Sequence, residues 1–253
     1  MTVRELYDSF SKYIPEDLRC EWDNDGLMVS TDSSADVTDV LIALDVTEEI
    51  VDYAIERGFN LIISHHPLIF RPVSAITEEN HISRKIIKLI SNNISVFSFH
   101  TRADIVCGGV NDILAAKLGL TNVTPFGEDG MGRIGTLPTE CELDVFAYNV
   151  KRALGADAIR VSDGYNTVRR VAVLGGDGKD FVGDAIAAEA DTYVSGRLSY
   201  NVMEEAAELG INLIEAGHYF TELPITEYFA ALVSKLDGNA YIEIADSNMI
   251  KTV

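Results

Sequence analysis

The chain is poor in basic residues. Twenty Lys and Arg stand against forty Asp and Glu over 253 residues, a formal net charge of −20. Nucleic-acid binding relies on Lys and Arg that neutralise phosphates, and that charge pattern is missing here. A nucleic-acid partner is therefore disfavoured, with Arg169-Arg170 and Arg84-Lys85 as candidates for a local basic patch. The acidity itself reads as solubility or as adaptation to a salty cytoplasm. Cysteine is also scarce: Cys20, Cys107 and Cys141 show no CxxC spacing and fit a reducing compartment. No apolar run approaches the ~20 residues that span a bilayer. The opening Met1–Tyr7 stretch reads as an amphipathic helix start and not as a signal peptide. A cytoplasmic protein with no membrane partner is expected.

What the chain has is apolar content, 47% of residues, arranged in regular alternation. Helical spacing covers 3–13, with Val3, Leu6, Tyr7 and Phe10 on one face. Continuous apolar runs at 39–45, 60–64 and 94–99 read as strands, separated by helices at 47–57 and 83–91, and a helix follows at 110–118. Such runs separated by helices indicate an α/β fold with mostly parallel sheets covered on both faces. Around Pro125–Gly130 the composition turns to glycine and acid, and a second α/β series follows: strands near 134–137, 158–162, 171–174, 192–195 and 212–216, with helices at 142–154, 181–190 and 202–209. A last helix, 225–236, and a strand, 240–245, close the chain. Two α/β domains are expected, one of residues 1–125 plus about 215–253, the other of 126–214.

Histidine is rare too, with five in all, yet four of them follow apolar strand-like runs. His65 and His66 follow Leu61–Ser64, His100 follows Val96–Phe99, and His218 follows Leu213–Gly217. In open α/β sheets ligands bind beyond the carboxyl ends of strands. Adjacent strand residues point to opposite faces, so His65 and His66 can share a site only if the backbone turns between them, which Pro67 suggests. A carboxylate stands four residues after two of the clusters, Asp104 after His100 and Glu222 after His218. Imidazole with carboxylate suits zinc, iron or manganese and not calcium, which takes oxygen ligands. His81 has no carboxylate at ligand spacing and reads as ordinary surface.

Several stretches together resemble a known family: Trp22-Asp23-Asn24-x-Gly26-Leu27, Ser64-His65-His66-Pro67-Leu68-Ile69-Phe70, His100-Thr101-x-x-Asp104, Gly108-Gly109-Val110-Asn111 and Gly217-His218-Tyr219-Phe220-Thr221-Glu222. The chain is similar to the NIF3-like family, also called GTP cyclohydrolase I type 2 or dinuclear-metal-centre proteins. The resemblance implies two interleaved α/β domains and two divalent metals per subunit, held by His65, His66, Asp104, His218 and Glu222. It also implies a toroidal homohexamer and, from the family name, hydrolytic opening of the GTP imidazole ring. His100 matches a family histidine that is either a ligand or a proton carrier, and is taken here as catalytic. A phosphoester or another small ring would suit the same metals, so the expected partner is a small molecule, with a nucleotide as the implied example. The alternative is a non-enzymatic ring-forming metal-binding scaffold or regulator.

Three stretches carry weaker signals. The loop Glu21–Leu27 reads as an anchored turn, with Trp22 packed and Asp23 and Asn24 bonded to backbone. Gly175-Gly176-Asp177 lacks Walker spacing and reads as a glycine turn. Arg197, where many relatives carry an acid, is expected to pair with Glu204 or Glu205 on the following helix.

Overall fold

A computed structural model describes residues 1–127 and 129–253; Glu128, within the glycine and acid stretch at 125–130, lies outside the described residues. The chain divides into two compact units, 1–106 with 225–249, and 107–224 with 250–253. The second is thus inserted into the chain of the first. These boundaries differ from the expected 125/126 and 214/215.

The first unit opens with α1 (Val3–Tyr13), whose start is secured by a capping box: Thr2 Oγ1 accepts from Glu5 N–H, and Glu5 returns the bond to Thr2 N–H. It buries Val3, Leu6 and Phe10. Then come β1 (Gly26–Val29), β2 (Asp39–Ala43), α2 (Glu48–Arg57), β3 (Leu61–Ser64), α3 (His81–Ser91), β4 (Ser95–Ser98) and the one-turn α4 (Thr101–Ile105). Thr47 caps α2, and Gly58 ends it with a left-handed residue at φ +76°.

The second unit runs α5 (Val110–Lys117), β5 (Thr121–Phe126), β6 (Gly132–Cys141), α6 (Leu143–Leu154), β7 (Arg160–Ser162), β8 (Val168–Asp177), α7 (Val182–Ala187), β9 (Thr192–Arg197), α8 (Tyr200–Glu208), β10 (Asn212–Glu215) and the one-turn α9 (His218–Glu222). Its sheet has the order β5-β6-β8-β9-β10-β7. The centre, β8-β9-β10, is parallel, and the flanking strands pair antiparallel. Because β5 bonds to β6, the stretch 121–126 belongs to this unit and not to the first. Its core gathers Leu114, Phe146, Val150, Val171, Val173, Val194 and Ile214.

The chain then returns to the first unit with α10 (Ile225–Leu236) and β11 (Tyr241–Ile244). The first sheet has the order β1-β4-β3-β2-β11, parallel except at β1. The expected α/β class with two multi-stranded sheets is what the chain forms. Every residue of β3 and of β4 is buried, which is why both read as unbroken apolar runs. Buried aliphatic side chains contribute about 1.5–3 kcal/mol each, and Leu41, Ile62 and Val96 of β2, β3 and β4 belong to one buried cluster of this unit.

One buried ion pair ties the start of the chain to the turn after β4. Arg102, fully buried, donates through Nε to Asp25 Oδ2 at 2.9 Å and through Nη1 to Ile14 O at 3.2 Å. Its guanidinium lies 4.1 Å from the centre of the Phe99 ring. Burial pushes the Asp25 carboxyl up, and the Arg102 guanidinium pulls it back.

Candidate metal centre

Parallel register brings the strand-end residues of the first unit together. β2 and β3 pair with Ala43 opposite Ser64, and the ladder continues beyond them as His66 N–H donates to Leu44 O at 3.0 Å. Asp45 is thereby set beside His66, with its Oδ1 2.8 Å from His66 Nδ1. β3 and β4 pair with Ser64 opposite Ser98, so His65 meets Phe99, and His65 Nδ1 lies 2.9 Å from Phe99 O. The chain bends at 65 and 66, which overcomes the opposite-face rule for adjacent residues. The two rings stand 5.0 Å apart between centres.

His100 follows β4 and lies 5.3 Å from the His65 ring and 5.6 Å from the His66 ring. One ring nitrogen from each of His65, His66 and His100 falls within 4.8 Å of the others. Asp104, at the far end of the α4 turn and buried, brings Oδ1 to 3.6 Å from His65 Nε2. Four of the expected residues thus gather in one unit.

The loop before β1 supplies the support for His100. β1 runs antiparallel to β4 with Gly26 opposite Ser98, so residues 23–25 meet the turn after β4. Asp23 Oδ1 sits 2.8 Å from His100 Nδ1, while Oδ2 accepts from Thr101 N–H at 3.1 Å and from Thr101 Oγ1 at 2.7 Å. Asp25 Oδ2 accepts the His100 N–H at 3.0 Å. Burial raises the Asp23 carboxyl, but its bonds and attraction to His100, with those from Thr101, outweigh burial and bring it to about 2.

These contacts decide a tautomer. A backbone carbonyl and an ionised carboxylate only accept hydrogen bonds. Each Nδ1 of His65, His66 and His100 faces such an acceptor, so in the neutral ring Nδ1 carries the proton and Nε2 carries the lone pair. A ring nitrogen held this way is how metal-ligating histidines are oriented.

In the second unit, α9 places His218 and Glu222 four residues apart on one helix face, with Nε2 and Oε2 3.0 Å apart. Glu222 is buried and His218 half-exposed. Room for this pair comes from glycines. A Cβ on Gly176 would stand 2.2 Å from Glu222 Oε1 and 3.3 Å from His218 Nε2; one on Gly196 would stand 2.6 Å from Thr221 Oγ1 and 2.8 Å from His218 Cα. Thr221 Oγ1 accepts the Gly176 N–H at 3.1 Å, and Asn111 Oδ1 accepts that of Gly175 at 2.7 Å. Gly175 and Gly176 are strand residues of β8 that leave space for α9, not a free turn.

In each unit taken by itself, imidazoles together with carboxylates are donors of the kind that suits a divalent transition metal such as zinc, iron or manganese. His81 is exposed at the start of α3 and belongs to none of the donor groups found among the described residues. Trp22 is not packed as expected; it is 63% exposed, edge-on to Phe70 and to His100 at 6.2 Å each. Arg197 pairs with Asp177 at 3.6 Å in place of the expected Glu204 or Glu205. Asp45 and the side-chain role of Asp23 went unforeseen. Asp23 is 77 residues from its histidine, and only the strand register could have signalled Asp45.

The model of Duf34/NIF3 (NGG1p interacting factor 3) matches residues 1–252. The chain belongs to the DUF34/NIF3 family. A Clostridium perfringens protein named a GTP cyclohydrolase 1 type 2 homolog is 36% identical over 232 residues, covering 89% of this chain and 88% of that one. Among solved structures, a Bacillus cereus protein related to NIF3 superposes with a TM-score of 0.88 at 27% identity, covering 100% of this chain and 99% of that one. A Staphylococcus aureus hypothetical protein gives 0.90 at 26% identity with the same coverage. The likeness runs the length of this NIF3 chain. Among its described residues no helix is long and apolar enough to cross a membrane.

Proposed function

We propose that this NIF3 protein is a metal-dependent hydrolase with two divalent metals per subunit. His65, His66, Asp104, His218 and Glu222 are the residues we assign to hold them. The observation that supports this most is the common orientation of three imidazoles, each with Nδ1 facing a pure acceptor. When bound by these residues, divalent metals would supply an activated water near neutral pH and would offset charge that develops on an attacked oxygen.

His100 is the proton carrier in this reading. Its Nε2 accepts a proton, and Asp23, buried and ionised behind Nδ1, stabilises the imidazolium that results. Histidine is the side chain most often used for such proton transfer. GTP is the substrate we favour, on the name carried by the relatives, and a phosphoester would suit the same metals. A homohexamer acting in the reducing cytoplasm completes the proposal; Cys20, Cys107 and Cys141 are all unbridged.

Elemental analysis of protein purified without chelator tests the reading, together with a screen of GTP, phosphoesters and cyclic amides. Two metal equivalents and metal-dependent turnover are expected. His100→Gln should cut turnover strongly with metal content unchanged. Activity that survives both chelation and Asp104→Ala would remove the hydrolase reading, and metal without any turnover would leave a metal-binding scaffold.

A further inference from the structure

Asp45 stands outside the proposed ligand set, yet it touches a member of that set. Its Oδ1 lies 2.8 Å from His66 Nδ1, and its place is fixed by the parallel ladder that carries on from Ala43–Ser64 to the His66–Leu44 bond. The three imidazoles of the first unit differ in what holds them. His65 has a neutral acceptor, Phe99 O. His66 and His100 each have a carboxylate, Asp45 and Asp23. Either kind of acceptor behind a ligating histidine fixes the tautomer and ring orientation and raises the basicity of the far nitrogen; the carboxylate adds a negative charge that the carbonyl lacks.

Resting on the metal-centre reading above, we propose that Asp45 is a positioning residue: it holds the His66 proton on Nδ1, presents Nε2 to the metal and sets the affinity of that metal. Asp23 likewise faces Nδ1 of His100, the proton carrier, but the two carboxylates are not equally open to test. Asp23 is fully buried in its side chain and also binds Thr101 twice, so its loss disturbs the turn after β4. The Asp45 side chain is 40% exposed. Truncating it leaves no buried charge, and the backbone bond from Asp45 N–H to Ser247 Oγ does not depend on the carboxylate.

The experiment has two arms. In the first, nitrogen-15 NMR of the histidine side chains is recorded on metal-free wild-type protein, at a pH where the rings are neutral. His66 is expected with its proton on Nδ1; a proton on Nε2 overturns the proposal without any mutation. In the second, zinc affinity is measured by competition with a chromophoric chelator for wild type, Asp45→Asn and Asp45→Ala. Loss of such a partner costs about 10–100-fold in metal affinity, so Asp45→Ala should fall in that range. Asp45→Asn keeps an acceptor oxygen without its charge and should fall between the two.

The His66 signal of Asp45→Ala should show both tautomers. Affinity within twofold of wild type and an unmoved tautomer in Asp45→Ala would overturn the proposal. If Asp45→Ala failed to fold, wild type and Asp45→Asn would still decide it, since an unaltered zinc affinity in Asp45→Asn with Nε2 protonated in wild type admits no positioning role. Failure of the metal-centre reading looks different: wild-type protein would bind no zinc while His66 kept its proton on Nδ1.

Discussion

Gly176 offers the sharpest single test of how the fold makes room for Glu222 and His218. Two costs arise when it becomes Ala. Its φ is +67°, and a left-handed conformation costs a residue with a Cβ about 1–2 kcal/mol. The new Cβ would also stand 2.2 Å from Glu222 Oε1, an overlap that forces Glu222 out of place, and overpacking of this kind costs about 1–3 kcal/mol. Gly176→Ala should therefore destabilise by about 2–5 kcal/mol in all. Gly58→Ala isolates the first cost. It has φ +76° with nothing within 4 Å of the added Cβ, so it should lose only about 1–2 kcal/mol.

Urea unfolding of both variants measures the difference. Adding Glu222→Ala to Gly176→Ala removes the atom struck and should bring the loss back towards the Gly58→Ala value, a coupling of about 1–3 kcal/mol. Equal losses in the two glycine variants, or strict additivity with Glu222→Ala, would refute the argument.

Other outcomes follow from named contacts. Arg102→Ala leaves the buried Asp25 carboxylate uncompensated and should cost about 3–5 kcal/mol by denaturant unfolding; a loss under ~1 kcal/mol, the worth of a surface pair, would mean the pair is not buried in solution. Trp22 is the sole tryptophan and lies edge-on to His100 at 6.2 Å, so zinc titration should alter its emission, and a flat titration would place metal away from that ring. His81→Ala should leave metal content as in wild type, and a loss equal to that of His65→Ala would break the donor assignment. Light scattering should report a mass near six times 27.7 kDa, and a clean monomer at micromolar concentration would remove the ring assembly from the proposal.

The parallel strands were legible because burial on both faces leaves no polar alternation: Leu61–Ser64 and Ser95–Ser98 are buried throughout. β5 was not, since Thr121–Phe126 is mostly exposed and includes Pro125, which gives neither an apolar run nor a period. α4 and α9, five residues each, are too short to show helical spacing. The candidate histidines at 65, 66, 100 and 218 and carboxylates at 104 and 222 could be picked out from residue chemistry at and after strand ends. Their supports could not. Asp45 and Asp23 become partners of His66 and His100 only through strand register, and Gly176 matters through an atom of Glu222 that no local pattern reveals.

The insertion of one unit within the other has a consequence for the nascent chain. β11 pairs with β2, yet residues 107–224 are synthesised between the main part of the first unit and this last strand. At ~5–20 residues per second on the ribosome, that delay is of order ten seconds. Throughout it, the β2 edge that β11 will cover stays open, and such an edge is a template for pairing with another chain. The unit made second has all its strands first, while the unit begun first must wait for its closing strand. Release of a chain ending at Pro224 should therefore yield a second unit that is folded and a first that self-associates, with the β2 edge as the surface a chaperone would guard.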